Sequence, residues 1–161
     1  MKNWIFAIAI SLTQLLAVGQ ATAHDMNEHQ IAMVMKQLFE KPDAPLSVVP
    51  ISVEGDYAVA GWIQGGRGGR AFLQKDKNQW AIAVCGGSGL TQAEVMRSIG
   101  MKSDAASRLA AAVVAAEDKL SADKRKLFDG FEGMLRVDQS AGQDAHNMHG
   151  QHTGHSEPAQ K

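Results

Sequence analysis

Four short segments rich in β-branched and aromatic residues follow one another in the middle of the chain, and they constrain the fold more than any other feature. The residues between them, such as EGD at 54–56 and GGRGG at 65–69, have the composition of tight turns. Gaps this short leave no room for the crossovers that parallel strands need, so an antiparallel meander is predicted. The four predicted strands are Leu46–Val53, Tyr57–Gln64, Arg70–Lys75 and Gln79–Val84.

Helical periodicity precedes this sheet. Apolar side chains recur at helical spacing over residues 27–40, and Asp25 and Asn27 are candidate caps. The KPDAP stretch at 41–45 ends this helix, because proline cannot continue it. Near the other end of the domain, FEGMLRV at 131–137 fits either a last strand or a docking segment.

Helical signals also follow the sheet. Thr91 and Glu94 predict a capping box, and Ser103 or Asp104 is the predicted cap of an alanine-rich helix. Ser121 is the predicted cap of a final short helix. The predicted fold class is therefore α+β, with an N-terminal helix, a four-stranded antiparallel meander and then helices packed on one face of the sheet.

The first 23 residues have the pattern of a secretory signal peptide. Lys2 precedes an apolar run from Trp4 to Val18, and the small residues of ATA at 21–23 predict cleavage after Ala23. The apolar run is short for a membrane span, and no later segment is predicted to cross a bilayer. We expect export, most simply to the periplasm, with one domain over residues 24–139. The formal net charge of −1 does not favour a nucleic-acid partner.

Imidazole is concentrated at the C-terminal end. Of the six histidines none lies between His29 and His146, whereas residues 146–155 contain four. Residues 140–161 carry few apolar side chains, which predicts a disordered tail. Imidazole binds copper, zinc and nickel, while thioether sulfur favours Cu(I), so copper is predicted ahead of zinc or nickel. The alternative is a solubilising tail that contains histidine by chance. The predicted tail ligands are His146, Met148, His149, His152 and His155.

A second candidate metal site lies at the predicted mature N-terminus. Cleavage after Ala23 would make His24 the first residue, so that its α-amine and its imidazole could chelate Cu(II) together. Met26 and His29 lie close by in the sequence. The alternative is that His24 merely follows the cleavage site and that His29 lies on the exposed face of the first helix.

Cys85 is the only cysteine, which excludes an intramolecular disulfide. It is buried and inert, a metal ligand or a reactive thiol, and one hypothesis pairs it with Met96 or Met101 in a soft Cu(I) site. A cysteine nucleophile needs a histidine base, and the middle of the chain has none. The carboxylates of that region are predicted to lie in turns. No catalytic residue is therefore predicted, and the chain is not expected to be an enzyme.

Two glycine-rich stretches are candidate anion sites. GGRGGR at 65–70 lacks the Lys-Ser/Thr of a phosphate-binding loop and predicts a hairpin instead, although Arg67 and Arg70 could hold an anion or a partner's carboxylate. CGGSG at 85–89 leads into a predicted helix, whose first backbone N–H groups could attract an anion.

The middle of the chain resembles a known family. GDYAVAGW at 55–62, GGRAFL at 68–73, Trp80 and VCGG at 84–87 are similar to the bacterial copper uptake system-associated proteins. The similarity continues to about Val137 and stops before the tail. It implies export and an association with periplasmic copper chaperones or outer-membrane copper receptors.

These observations favour a periplasmic copper-binding accessory protein, which captures copper with its tail and transfers it by ligand exchange. An alternative is an interaction module, in which Trp62, Arg67 and Arg70 bind a receptor or chaperone and the tail is only a metal buffer. A third hypothesis is a thiol or redox enzyme that uses Cys85.

Overall fold

The computed structural model describes the backbone of residues 18–137 and the side chains from residue 24 onward. Most of the predicted signal peptide and the histidine-rich tail therefore lie outside the described residues. The described chain is α+β, as the sequence predicted, and it contains an N-terminal helix and an antiparallel sheet. Its elements are α1 (Val18–Phe39), β1 (Ser47–Glu54), β2 (Tyr57–Gln64), β3 (Arg67–Asp76), β4 (Gln79–Gly86), α2 (Ala93–Ser98), α3 (Ser103–Glu117), α4 (Ala122–Asp129) and β5 (Met134–Arg136).

The sheet has five strands rather than the predicted four, in the order β1-β2-β3-β4-β5. Every strand is antiparallel to its neighbour, so the predicted meander is present with one strand added at its end. The extra strand comes from the 131–137 segment, where Leu135 pairs with Cys85 of β4. The open choice between a strand and a docking segment is thus resolved as a short strand.

The two faces of the sheet carry separate apolar cores, because alternate residues of a strand point to opposite sides. On one face, Ile31 and Met35 of α1 join a cluster that includes Ala60 of β2 and its partner Ala71 of β3. On the other face, α2 and α3 cover the strands, and this cluster includes Val59, Phe72, Val84, Met96, Leu109 and Val113. The sheet therefore separates the N-terminal helix from the helices α2 and α3.

The helix starts agree only in part with the predicted caps. Ser121 caps α4 as predicted, since its Oγ accepts a hydrogen bond from the backbone N–H of Lys124. The predicted capping box at Thr91 is wrong, because Ser88–Thr91 forms a 3₁₀ helix and Thr91 Oγ1 donates to the Ser88 carbonyl. Helix α2 begins after it, at Ala93.

The remaining predicted caps are also not formed. Ser103 and Asp104 are the first residues of α3 rather than its cap, since the N-cap is Lys102, with no side-chain cap bond. Asp25 and Asn27 lie within α1, which begins at Val18. Within residues 18–137, no helix combines the length and the apolar character that crossing a bilayer requires.

The two edges of the sheet are formed by β1 and β5. Strand β1 contains Pro50, and its register with β2 shifts between Val48 and Ile51. Strand β5 has three residues, all of them exposed. Both edges therefore offer short or interrupted backbone rather than a long regular strand.

Candidate functional site

His24 lies on α1, which runs through the predicted cleavage point between residues 23 and 24. Its side chain is exposed, and its Nδ1 lies 2.9 Å from Oε1 of Glu28, one helical turn later. One ligand atom from each of His24, Asp25 and Glu28 falls within 4.8 Å of the others. One imidazole and two carboxylates are thus close enough to contact a single cation at the start of the predicted mature chain.

The segment that carries these groups is fixed to the sheet. Asn27 Oδ1 accepts hydrogen bonds from Lys75 Nζ at 3.0 Å and from Trp80 Nε1 at 3.3 Å. Ile31, one turn further along α1, is fully buried in the core. The amide of Asn27 therefore anchors this turn of the helix to the sheet instead of capping it.

The remaining side chains near the N-terminus point to solvent. His29 and Met26 are both exposed, as is Met33 one turn beyond His29. Met26 and His29 were noted from the sequence, whereas Met33 was missed. The spacing of Met26 and Met33, seven residues apart and both away from the buried Ile31 and Met35, is the signal that a helical projection would have revealed.

The five predicted tail ligands lie outside the described residues, so the structure does not bring them together with His24 or keep them apart. They are His146, Met148, His149, His152 and His155.

Cys85 is buried on the α1 side of the sheet, in the same apolar cluster as Met35. Burial raises the pKa of its thiol to about 11, so the thiol is protonated at neutral pH. Met96 and Met101 belong to the cluster on the opposite face. The hypothesis that pairs Cys85 with either of them is therefore wrong, because the sheet lies between them. A protonated, buried thiol also weakens the hypothesis of a thiol or redox enzyme.

Cys85 borders an apolar cavity of about 210 Å³. Gln64 closes part of its wall, since Nε2 of Gln64 donates to the carbonyls of Phe39 and Ala44 at 2.8 Å each. A lining so poor in polar groups is unfavourable for a hydrated ion. The lining residues are Met35, Phe39, Leu46, Trp62, Gln64, Cys85, Phe131, Leu135 and Val137.

Arg70 is not the exposed binding residue for an anion or a partner's carboxylate that was predicted as one possibility, because it is buried. It is 2% exposed, and its Nε and Nη2 each lie 2.7 Å from a carboxylate oxygen of Glu117. Its Nη1 donates to Asp129 at 3.0 Å, and its guanidinium lies 5.5 Å from the ring centre of Phe128. Burial by itself would lower the pKa of Arg70, but hydrogen bonds and charges from Glu117 and Asp129 outweigh it and raise the pKa. Arg70 therefore binds carboxylates within the fold, and of the two arginines Arg67 and Arg70 only Arg67 is exposed.

Trp62, the third residue of the interaction hypothesis, packs edge to face against Phe131, with ring centres 6.0 Å apart. Gly69 faces this pair, and a Cβ there would come within 2.9 Å of the Trp62 ring and 3.0 Å of Phe131. The missing side chain at Gly69 makes room for the aromatic contact. Trp62 is thus used mainly within the fold.

The CGGSG stretch at 85–89 does not present the helix N-terminus that was considered as an anion site. It leads into the 3₁₀ helix Ser88–Thr91, and α2 begins only at Ala93. Gly87 is needed for packing, because a Cβ there would collide with the carbonyl oxygen of Phe131.

No family model, curated protein or solved structure matches this chain.

Proposed function

We propose that this chain is a copper-binding accessory protein of the periplasm, which captures copper through side chains outside its folded core and passes it on by ligand exchange. The observation that carries the proposal is the position of His24. It is exposed beside Asp25 and Glu28, at the residue that the predicted cleavage would make the new N-terminus. A free amine there would add a nitrogen ligand to the imidazole and the two carboxylates.

The distribution of donor groups supports a division between scaffold and metal-binding ends. Residues 30–137, which form the sheet and most of its helical cover, contain no histidine. Within the described part of the chain, every fully buried side-chain nitrogen or oxygen atom has a hydrogen-bond partner. The described interior therefore leaves no unpaired polar side-chain donor for a metal, whereas the N-terminus and the tail are rich in imidazole.

Copper suits these donors better than zinc does. Structural zinc sites use four ligands that commonly include cysteine pairs, and this chain has a single buried cysteine. Imidazole with thioether is a donor set that binds copper in both oxidation states. The resemblance of residues 55–87 to copper uptake system-associated proteins points the same way. It makes a periplasmic copper chaperone or an outer-membrane copper receptor the proposed exchange partner.

The interaction-module alternative has less support. Two of its three proposed contact residues are occupied within the fold, since Arg70 pairs with Glu117 and Trp62 packs on Phe131. Arg67 remains exposed, but one arginine does not define a binding surface. A receptor contact is therefore secondary in this proposal to copper binding itself.

Copper titration of the protein and of a variant that lacks residues 140–161 tests the proposal. The full chain should bind copper, and the deletion should remove most of it while the far-ultraviolet circular dichroism of the domain is unchanged. A full chain that binds no copper would refute the function. Unchanged stoichiometry after the deletion would instead place the main site within residues 24–139.

A matched control separates the tail ligands from the tail itself. Replacing the four tail histidines by asparagine keeps the length and polarity of the segment but removes its imidazole, and it should lower Cu(II) binding nearly as strongly as the deletion does, since Met148 is the one predicted tail ligand that remains. Replacing Asn147 and Gln151 by alanine leaves every histidine in place and should have no effect. Equal effects of the two sets of substitutions would contradict binding through imidazole.

A further inference from the structure

Three potential copper ligands form a stripe on the solvent side of α1. Met26, His29 and Met33 are spaced three and four residues apart, so they fall within about 60° of the helix circumference. The buried residues Ile31 and Met35 lie on the opposite side of the same helix. The stripe therefore runs along the middle of the exposed face, where nothing described covers it.

The exposure of the two methionines is not explained by packing. Met35, Met96 and Met101 are each at most 5% exposed and fill the two cores. Met26 and Met33 are 63% and 44% exposed, so a large part of each residue is accessible from solvent. The property that distinguishes an exposed thioether from other side chains of this length is its soft sulfur donor.

Helix geometry allows the three side chains to reach one ion. Positions three or four apart on a helix have Cβ atoms about 5–6 Å from each other. Helical side chains also lean toward the N-terminus, so Met33 leans over the turn that carries His29, and His29 leans over the turn that carries Met26. The Met33 sulfur can thus approach the His29 imidazole, and the His29 imidazole can approach Met26, so that an ion beside the imidazole is within reach of one or both flexible thioethers.

We propose that Met26, His29 and Met33 form a Cu(I) site on the exposed face of α1. The three donors are neutral, and thioether sulfur selects Cu(I) over zinc, calcium or magnesium. Asp25, one turn before His29, adds a nearby negative charge that favours a cation. This inference rests on the proposed copper function and adds to it a site that is separate from the tail and from the chelate at His24.

The position of the site suits transfer of the ion. Helix α1 is anchored to the sheet by Asn27 and by its buried residues, so the three donors lie on a helix that packs against the core. Their exposure lets an incoming ligand approach the ion from the solvent side. A low-coordinate Cu(I) ion held in this way can leave by stepwise replacement of one thioether at a time.

The test uses the full chain, expressed with its own N-terminal segment and labelled with carbon-13 at the methionine methyl groups. Cu(I) is added without oxygen, and each methyl signal is followed by nuclear magnetic resonance. The methyl groups of Met26 and Met33 should shift within the first equivalents of Cu(I). That of Met134, which is 47% exposed on β5 with no histidine beside it among the described residues, should not shift.

A competition titration against a coloured Cu(I) chelator gives the stoichiometry. The double variant Met26→Leu/Met33→Leu keeps the size and helix preference of both residues, and it should bind one Cu(I) fewer per chain. The variant His29→Gln should lose the same equivalent, whereas Met134→Leu should lose none. Circular dichroism checks that each variant is folded.

The outcomes separate this inference from the function on which it rests. A full chain that binds no Cu(I) and no Cu(II) refutes both. Copper binding with unmoved Met26 and Met33 signals, and with full stoichiometry in the double variant, refutes the α1 site and leaves the tail as the copper-binding segment.

Discussion

Replacing Arg70 by methionine should destabilise the domain by about 3–5 kcal/mol, because it leaves the carboxylate of Glu117 buried without a counter-charge. Glu117 is 5% exposed, and both of its oxygens are bound by Arg70 at 2.7 Å. At such low exposure, water cannot replace the hydrogen bonds that the Glu117 carboxylate would lose. The loss of stability therefore comes mainly from the unpaired negative charge of buried Glu117, and less from the lost contact with Arg70.

The carboxylate of Asp129 contributes less to the expected loss of stability than that of Glu117 does. Asp129 also pairs with Arg70, but its side chain is about half exposed and can be solvated once the arginine is gone. The double variant Arg70→Met/Glu117→Leu removes both buried charges and should be more stable than Arg70→Met alone. We expect the two substitutions to be coupled by at least about 2 kcal/mol, in the range found for residues in direct contact.

Urea unfolding, followed by tryptophan fluorescence and circular dichroism, measures these free energies. Arg108→Met is the matched control, since it removes an arginine of the exposed pair with Glu54 and should barely move the midpoint. If Arg70→Met loses no more stability than Arg108→Met, or if the double variant is as unstable as the single one, the argument from a buried charge is wrong.

Three further predictions concern the N-terminus, the thiol and the sheet. An extra alanine before His24 converts the proposed α-amine ligand into an amide, so it should lower Cu(II) affinity by as much as His24→Ala does. The two changes together should lower the affinity no further, because each breaks the same chelate ring. Both are measured by Cu(II) titration in a chain that lacks residues 140–161. Burial raises the pKa of Cys85 from 9.0 to about 11, so the stability that the protonated thiol contributes should be present below pH 9 and lost between pH 9 and 11. Its alkylation at pH 8 should be slow in native protein and fast in urea, and equal rates would contradict its burial. Gly69→Ala pushes a Cβ against Trp62 and Phe131 and should lower the free energy of unfolding by about 1–3 kcal/mol. Gly65 has a positive φ and faces open space, so Gly65→Ala measures the cost of backbone strain without a steric clash.

Much of the sheet was predictable because its strands pair with their neighbours in sequence. The bounds of β2, Tyr57–Gln64, agree with the prediction, and β3 and β4 are present with longer bounds. Local composition suffices for such hairpins, since turn residues and strand formers are adjacent. Strand β5 was left open because its three residues become a strand only through pairing with β4, which lies about 50 residues earlier.

The candidate sites were less predictable, because partners distant in sequence decide the environment of each side chain. Arg70 is buried by Glu117 and Asp129, which lie 47 and 59 residues further along the chain. The prediction that paired Cys85 with Met96 or Met101 placed them on the same face of the sheet, which is wrong. Alternation along a strand shows which of its residues share a face, but it does not show which face a later helix covers. The roles of His24 and His29 as metal ligands stay predictions, and the structure shows only that both side chains are exposed.

The two edges of the sheet also bear on how the protein behaves at high concentration. An open edge of regular backbone can recruit a strand from another copy and start aggregation. Pro50 removes one hydrogen-bond donor from β1, and the register shift between Val48 and Ile51 bends the same strand. The opposite edge, β5, is only three residues long. Both edge strands therefore limit the regular backbone with which a second chain could pair, and this lowers the tendency of the fold to edge-to-edge aggregation.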